Sequence, residues 1–159
     1  MKSAVPAQTD DSTRPVHATL TFSATMPTSP FELWDAFADA SLRAAWSVPE
    51  GDQMVYDQSQ FFVGGRDGYR CGPKGNMNFD GRVEYLKIVP GQLLVHTDMV
   101  HSGGTPLSAA LLTWSFVPAG HETRLDLTVQ VTSFVGAAMI EGNRNGHGIA
   151  LAQLAVFRH

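Results

Sequence analysis

Apolar and polar residues alternate with a period of two through most of this chain and switch to a helical period at two places. From Val16 onward, Ala18, Leu20, Phe22 and Ala24 interleave with His17, Thr19, Thr21 and Ser23, which predicts a strand with one buried face. Pro27 stops it. Thr28 or Ser29 then caps a helix with Pro30 at its first position, and Phe31, Leu33, Trp34, Phe37 and Ala38 recur at helical spacing. A second short helix is expected over 41–46, ended by the turn Pro49-Glu50-Gly51. Six further strands are expected over 53–59, 66–71, 77–89, 92–101, 107–117 and 123–132, with Pro90-Gly91 as a hairpin turn. In the last of these Leu125, Leu127, Val129 and Val131 alternate with Arg124, Asp126, Thr128 and Gln130, so one face is dry and the other wet.

After residue 137 the period changes again. Ile140, His147, Leu151 and Leu154 fall near one helical face, with Ala150 beside them. Gly142, Gly146 and Gly148 weaken the first half of that helix by about 1 kcal/mol each relative to alanine, so its firm part is expected from His147. The order strand, two short helices, six strands, long helix predicts an α+β fold. A curved antiparallel sheet of six or seven strands wraps the long C-terminal helix, and the two small helices plug one end. Such a sheet leaves space against the helix, which predicts an internal pocket.

Composition narrows this picture. With 159 residues the chain suits one core; residues 1–14, polar and rich in Ser, Thr, Asp and Pro, read as a disordered leader to a single domain over 15–159. The net charge of -4 and the eleven scattered Lys and Arg residues argue against nucleic acid and against a polybasic membrane contact. The longest apolar stretch, 107–117, is broken by Ser108, Thr113 and Ser115 and is far short of the ~20 residues of a membrane span. Cys71 is the single cysteine, which rules out an intrachain disulfide and a multi-thiolate zinc site and points to the cytoplasm. No apolar signal segment is seen near the start.

The order and spacing of several pieces resemble the START-like, or SRPBCC, helix-grip superfamily. They are closest to its branch of activator-of-heat-shock-ATPase-like and polyketide-cyclase-like proteins. The resemblance spans roughly 16–154. It is carried by Phe31, Trp34, Ala36 and Phe37 in the first helix and Trp46 in the second. It continues through Phe62-Val63-Gly64-Gly65-Arg66-Asp67, Tyr69-Arg70-Cys71-Gly72, Ile88-Val89-Pro90, Leu93-Leu94-Val95, Thr123-Arg124-Leu125, and Phe134, Gly136, Arg144 and Gly146. It implies an internal cavity for a hydrophobic molecule such as a lipid, hormone or polyketide, with a minority of members catalysing reactions on what they bind. Two positions depart from the branch: Val129 stands where an acidic residue is frequent, and Ala137-Ala138-Met139 is apolar where acidic residues often precede the arginine.

The cavity candidates are Trp34, Phe62, Tyr69, His96, Met99, His101, Trp114, Phe134, Arg144, His147 and Leu151. His96, Asp98 and Val100 share one face of their strand, and Met99 and His101 the other. Either of these histidines could serve as a general acid/base poised near neutral pH, and Arg144 or Tyr69 could polarise a carbonyl. The six histidines form no close helical pair and no carboxylate cluster accompanies them, so no metal is expected, and no cofactor. Three readings follow: a binder of a small hydrophobic or amphipathic molecule, an acid/base enzyme of the cyclase, hydratase or hydrolase kind, and a protein-interaction module or chaperone-linked factor. A homodimer stays open.

Overall fold

The computed structural model describes residues 14–158. The expected leader, residues 1–14, lies outside this span apart from Arg14. The chain runs β1 (Val16–Met26), α1 (Pro30–Ala38), α2 (Ala40–Ser47), β2 (Asp52–Ser59), β3 (Arg66–Pro73) and β4 (Phe79–Val89). It continues through β5 (Leu93–Ser102), β6 (Thr105–Ala119), β7 (Glu122–Ser133) and α3 (Ala137–Val156). The seven strands form one antiparallel sheet in the order β1-β7-β6-β5-β4-β3-β2. Strands β2 to β7 are a meander, and β1 returns to pair along the whole of β7, from Val16 opposite Ser133 to Met26 opposite Thr123.

Local chemistry accounts for the boundaries. Ser29 caps α1 by accepting from the Glu32 amide at 3.4 Å, and Pro30 occupies the first turn, where its missing N–H costs nothing. Asp39 caps α2 by accepting from Ser41 and Leu42 at 2.8 and 3.1 Å, so that helix begins at Ala40, ahead of the expected Ser41. Gly91 takes a φ of +71° in the Pro90-Gly91 hairpin. The early half of α3 is helical in spite of its three glycines. Ile140 is buried in that half, and the helix as a whole packs on β1, β7 and α2, so tertiary contact outweighs propensity.

Leu125, Leu127, Val129 and Val131 are fully buried under α3, facing a core that includes Leu151 and Leu154. An aromatic cluster fills the plugged end: Phe37 meets Trp46, Trp114 and Phe116 at ring separations of 4.9 to 5.0 Å. This is the helix-grip arrangement, with one consequence for function. The helix lies chiefly over β1 and β7, at one side of the sheet. The concave faces of β2 to β6 therefore curve over space that α3 does not fill.

Candidate functional site

That space is a cavity of about 410 Å³. Its sheet wall comprises Met54 and Tyr56 of β2, Asp67, Tyr69 and Cys71 of β3, Val83 and Tyr85 of β4, Leu94, His96, Asp98 and Val100 of β5, and Leu112 and Trp114 of β6. The opposite wall is α3, through Met139, Gly142, Asn143, Gly146, His147 and Ala150, a stripe spaced by three and four residues. Helix α2 and the segment after it close the end with Arg43, Trp46, Val48 and Pro49. An ideal Cβ built on Gly142 or Gly146 meets nothing within 4 Å, so these two glycines leave part of the void open. A larger surface hollow of about 640 Å³ lies where α2, β2 and the end of α3 meet. It is open, and among the described residues its lining has no buried titratable group. Trp46, Val48, Pro49, Asp52 and Met54 line both spaces and so partition them.

Polar groups in the cavity fall into two sets. The first is closed on itself. The Arg43 guanidinium is buried and donates to Asp67 at 2.8 Å, to the Tyr56 hydroxyl at 2.9 Å, to Ser59 at 3.2 Å and to the Phe37 carbonyl. It also stacks over the Tyr56 ring at 4.6 Å. Asp67 accepts in addition from the Tyr85 hydroxyl and from the Gln60 amide at 3.1 Å. A buried charge is tolerable when paired and hydrogen-bonded in this way. Burial lifts the Tyr56 phenol to about 12, against the pull of Arg43.

The second set is open. The Tyr69 hydroxyl points at the Asp98 carboxylate, 2.9 and 3.0 Å from its two oxygens. Burial raises Asp98 to about 7; the Tyr69 hydrogen bond works against that rise, and the charge of Asp67 adds to it. Backbone placement explains the contact. Tyr69 pairs across the sheet with Gly81, and a Cβ there would lie 1.9 Å from the Tyr69 ring, so only glycine lets the ring lie over β4 and reach β5. Burial and the neighbouring Asp98 hold the Tyr69 phenol well above its ordinary value, and push the Cys71 thiol up to about 11, which leaves it a poor nucleophile.

His96 is not poised near neutral pH, as its sequence context suggested. Its Nε2 accepts from the Trp114 indole N–H at 3.0 Å, and its Nδ1 lies 3.1 Å from the Thr97 carbonyl, which assigns the proton to Nδ1. Both nitrogens are occupied, and burial lowers the ring to about 4. His147 is also lowered to about 4 by burial and meets Phe22 edge-on at 6.0 Å. Among the described residues nothing hydrogen-bonds the His147 ring.

Of the candidates named from sequence, Tyr69, His96, Trp114 and His147 line this cavity. Trp34 and Leu151 are buried in the core behind it, Trp34 against Phe61 and Phe116. Phe62, 58% exposed, sits in the β2–β3 connection. Strand alternation sends Met99, 40% exposed, and His101 away from the face that carries His96 and Asp98; the His101 Nδ1 is buried without a partner among the described residues. Arg144 falls between the inward positions of α3 and turns to solvent beside Glu141 at 3.7 Å. Phe134 follows β7 and is tied to Leu107 through its amide, outside the cavity lining. Asp98, Arg43, Asp67, Tyr56, Tyr85 and Trp46 were not anticipated. Asp98 had a signal, since it shares the strand face of His96; Arg43 and Asp67 had none that separates a buried pair from two surface charges. Among the described residues no cluster of three or more His, Cys, Asp or Glu could hold a metal, and no helix is long and apolar enough to cross a membrane.

Comparison with known proteins agrees with this architecture. Residues 27–157 match the profile of the Activator of Hsp90 ATPase homolog 1-like protein family. The chain is similar to the crystal structure of the Mll3558 protein from Rhizobium loti, at 32% identity over 89% of this chain and 97% of that one, with a TM-score of 0.79. A protein from Rhizobium leguminosarum at 22% identity (90% and 95% covered, TM-score 0.79) shares the fold. So does protein CV1439 from Chromobacterium violaceum at 24% (86% and 94%, TM-score 0.74). No curated protein matches this chain. With most of its length matched and its sheet, plug and gripped helix in place, the chain belongs to the Activator of Hsp90 ATPase homolog 1-like family of the SRPBCC superfamily.

Proposed function

We propose that this protein binds a small hydrophobic or amphipathic molecule in the cavity between β2–β6 and α3. The observation that carries this reading is the cavity itself: about 410 Å³, walled mainly by apolar and aromatic side chains, with few polar groups turned into it. The two glycines on α3 support it, because a structure serving only stability would gain from filling that space. The unpaired Cys71 suits a reducing cytoplasm as the place of action.

The test combines thermal shift and native mass spectrometry against lipids, flavonoids and aromatic polyketides. Gly146→Leu is the control. Its side chain projects into the void, so it removes ligand binding while the fold stands. A screen without hits, or hits that Gly146→Leu leaves untouched, sinks the reading.

One observation favours a second reading, acid/base catalysis on the bound molecule. Asp98 sits near neutrality in an apolar site, which suits proton transfer, with Tyr69 holding its orientation. His101 and Arg144 lie outside the cavity lining, and both ring nitrogens of His96 are taken by Trp114 and Thr97, so none of the three serves this reading. Conversion of a bound ligand by wild type and its loss in Asp98→Asn is the result this reading requires.

A further inference from the structure

We propose, resting on the cavity-binding reading above, that the molecule taken up carries a protonated amine on an apolar or aromatic body, with Asp98 as its counter-ion. The argument starts from charge. The one cation in the cavity wall, Arg43, spends four of its five N–H groups on Asp67, Tyr56, Ser59 and the Phe37 carbonyl, and its charge is paired with Asp67. Asp98 is the reverse case: among the described residues no Lys, Arg or His forms an ion pair with it.

The titratable groups around Asp98 leave its charge uncancelled. Tyr69, Cys71 and Asp67 line the cavity with it from β3, Asp52 and Tyr56 from β2, Tyr85 from β4, His96 from its own strand, Arg43 from α2 and His147 from α3, and Asp52 adds no cation. Asp67 is paired with Arg43, while near neutral pH the phenols, the thiol and both imidazoles carry no charge. Hydrogen bonding says the same. An ionised carboxylate has about four acceptor positions, and Asp98 receives a single proton, shared by its two oxygens, from Tyr69. What is missing is a cationic donor. The walls suit one, because the aromatic side chains of Trp46, Trp114 and Tyr69 line the cavity and aromatic rings attract an ammonium group. A ligand carboxylate finds no uncommitted cation and meets Asp98 instead. His147 offers one further donor and acceptor on the α3 side for a second polar group.

Calorimetric titration with three probes that share one body tests this: naphthylethylamine, naphthylethanol and naphthylacetate. Above the Asp98 midpoint of about 7 the amine is expected to bind about tenfold or more tightly than the alcohol, and the acetate most weakly. Amine affinity falls when the pH is brought below that midpoint, and alcohol affinity does not. Asp98→Asn removes the amine's advantage and leaves the alcohol's affinity in place. Acetate binding as tightly as the amine, or an amine advantage that survives Asp98→Asn, overturns the proposal. Should that variant fail to fold, wild type decides: amine affinity flat across the midpoint overturns it as well. If the alcohol binds and the amine has no advantage, the cavity reading stands and the amine proposal falls; if none of the three binds, the amine proposal falls and the broader ligand screen decides the cavity reading.

Discussion

Asp67 on β3 and Asp98 on β5 are carboxylates on the same cavity wall, and their surroundings differ in kind. Asp67 takes a guanidinium, a phenol and a backbone amide. Asp98 takes one phenol. The first arrangement joins α2, the β2–β3 connection and β4 through one anion, so it holds the plugged end of the sheet together. The second spends little of its hydrogen-bonding capacity on the protein. The contrast teaches how to separate a structural buried charge from an available one: count the donors already committed to it.

Four measurements test that contrast. The largest effect belongs to Asp67→Ala, which strands Arg43 without its anion; a loss of about 3–5 kcal/mol is expected by urea unfolding. A loss below about 1 kcal/mol means that the network is not structural.

Next comes pH. The folded value of Asp98, about 7, lies above the ordinary 3.8. Between these the folded chain keeps a proton that the unfolded chain has released, so this group's contribution to stability is lost as pH rises through the window. His96 and His147 run the other way. Their folded values of about 4 lie under the ordinary 6.5, so their contribution is lost as pH falls through that range. The informative quantity is therefore the difference between wild type and Asp98→Asn. It is expected to grow in the variant's favour from about pH 4 to about 7 and to level off above, by roughly a few kcal/mol at the upper bound. A difference that stays constant across the window contradicts the raised value.

Gly81→Ala should cost about 1–3 kcal/mol by thermal denaturation, because its Cβ would fall on the Tyr69 ring. It should also detach Tyr69 from Asp98 while leaving Asp67 alone; an unchanged carboxylate titration of Asp98 by NMR argues against that path. The smallest effect is Tyr69→Phe, about 1 kcal/mol. Without the hydroxyl the Asp98 midpoint moves further up, since that hydrogen bond is what opposes its rise. A midpoint that drops refutes the pairing.

Much of the fold was legible in the residues. The alternation of Leu125, Leu127, Val129 and Val131 marked the gripping strand, Ser29 and Pro30 marked the start of α1, and Pro90-Gly91 marked a hairpin. The meander was legible too, but it leaves two free edges, β2 and β7, and the pairing of β1 with β7 came from the structure. The site was legible in part. Aromatic and histidine positions could be named, but not whether a ring lines a void, as Trp114 does, or fills the core, as Trp34 does. Residue type carries the same apolar signal in both settings. The first half of α3 is firmer than its glycines suggest, because propensity does not count the packing of the helix as a whole on β1, β7 and α2.

By itself the sequence determined the periods, the turns and the dry faces, because those depend on neighbours along the chain. It also determined that His96 and Asp98 share a side of one strand. Only the tertiary structure decided that Trp114 caps the His96 nitrogen, that Tyr69 crosses Gly81 to reach Asp98, and that Arg43 goes to Asp67 and not to Asp98. Those are contacts between residues far apart in sequence. They set burial and charge pairing, and so they set which polar groups are consumed by the fold and which are left facing the cavity.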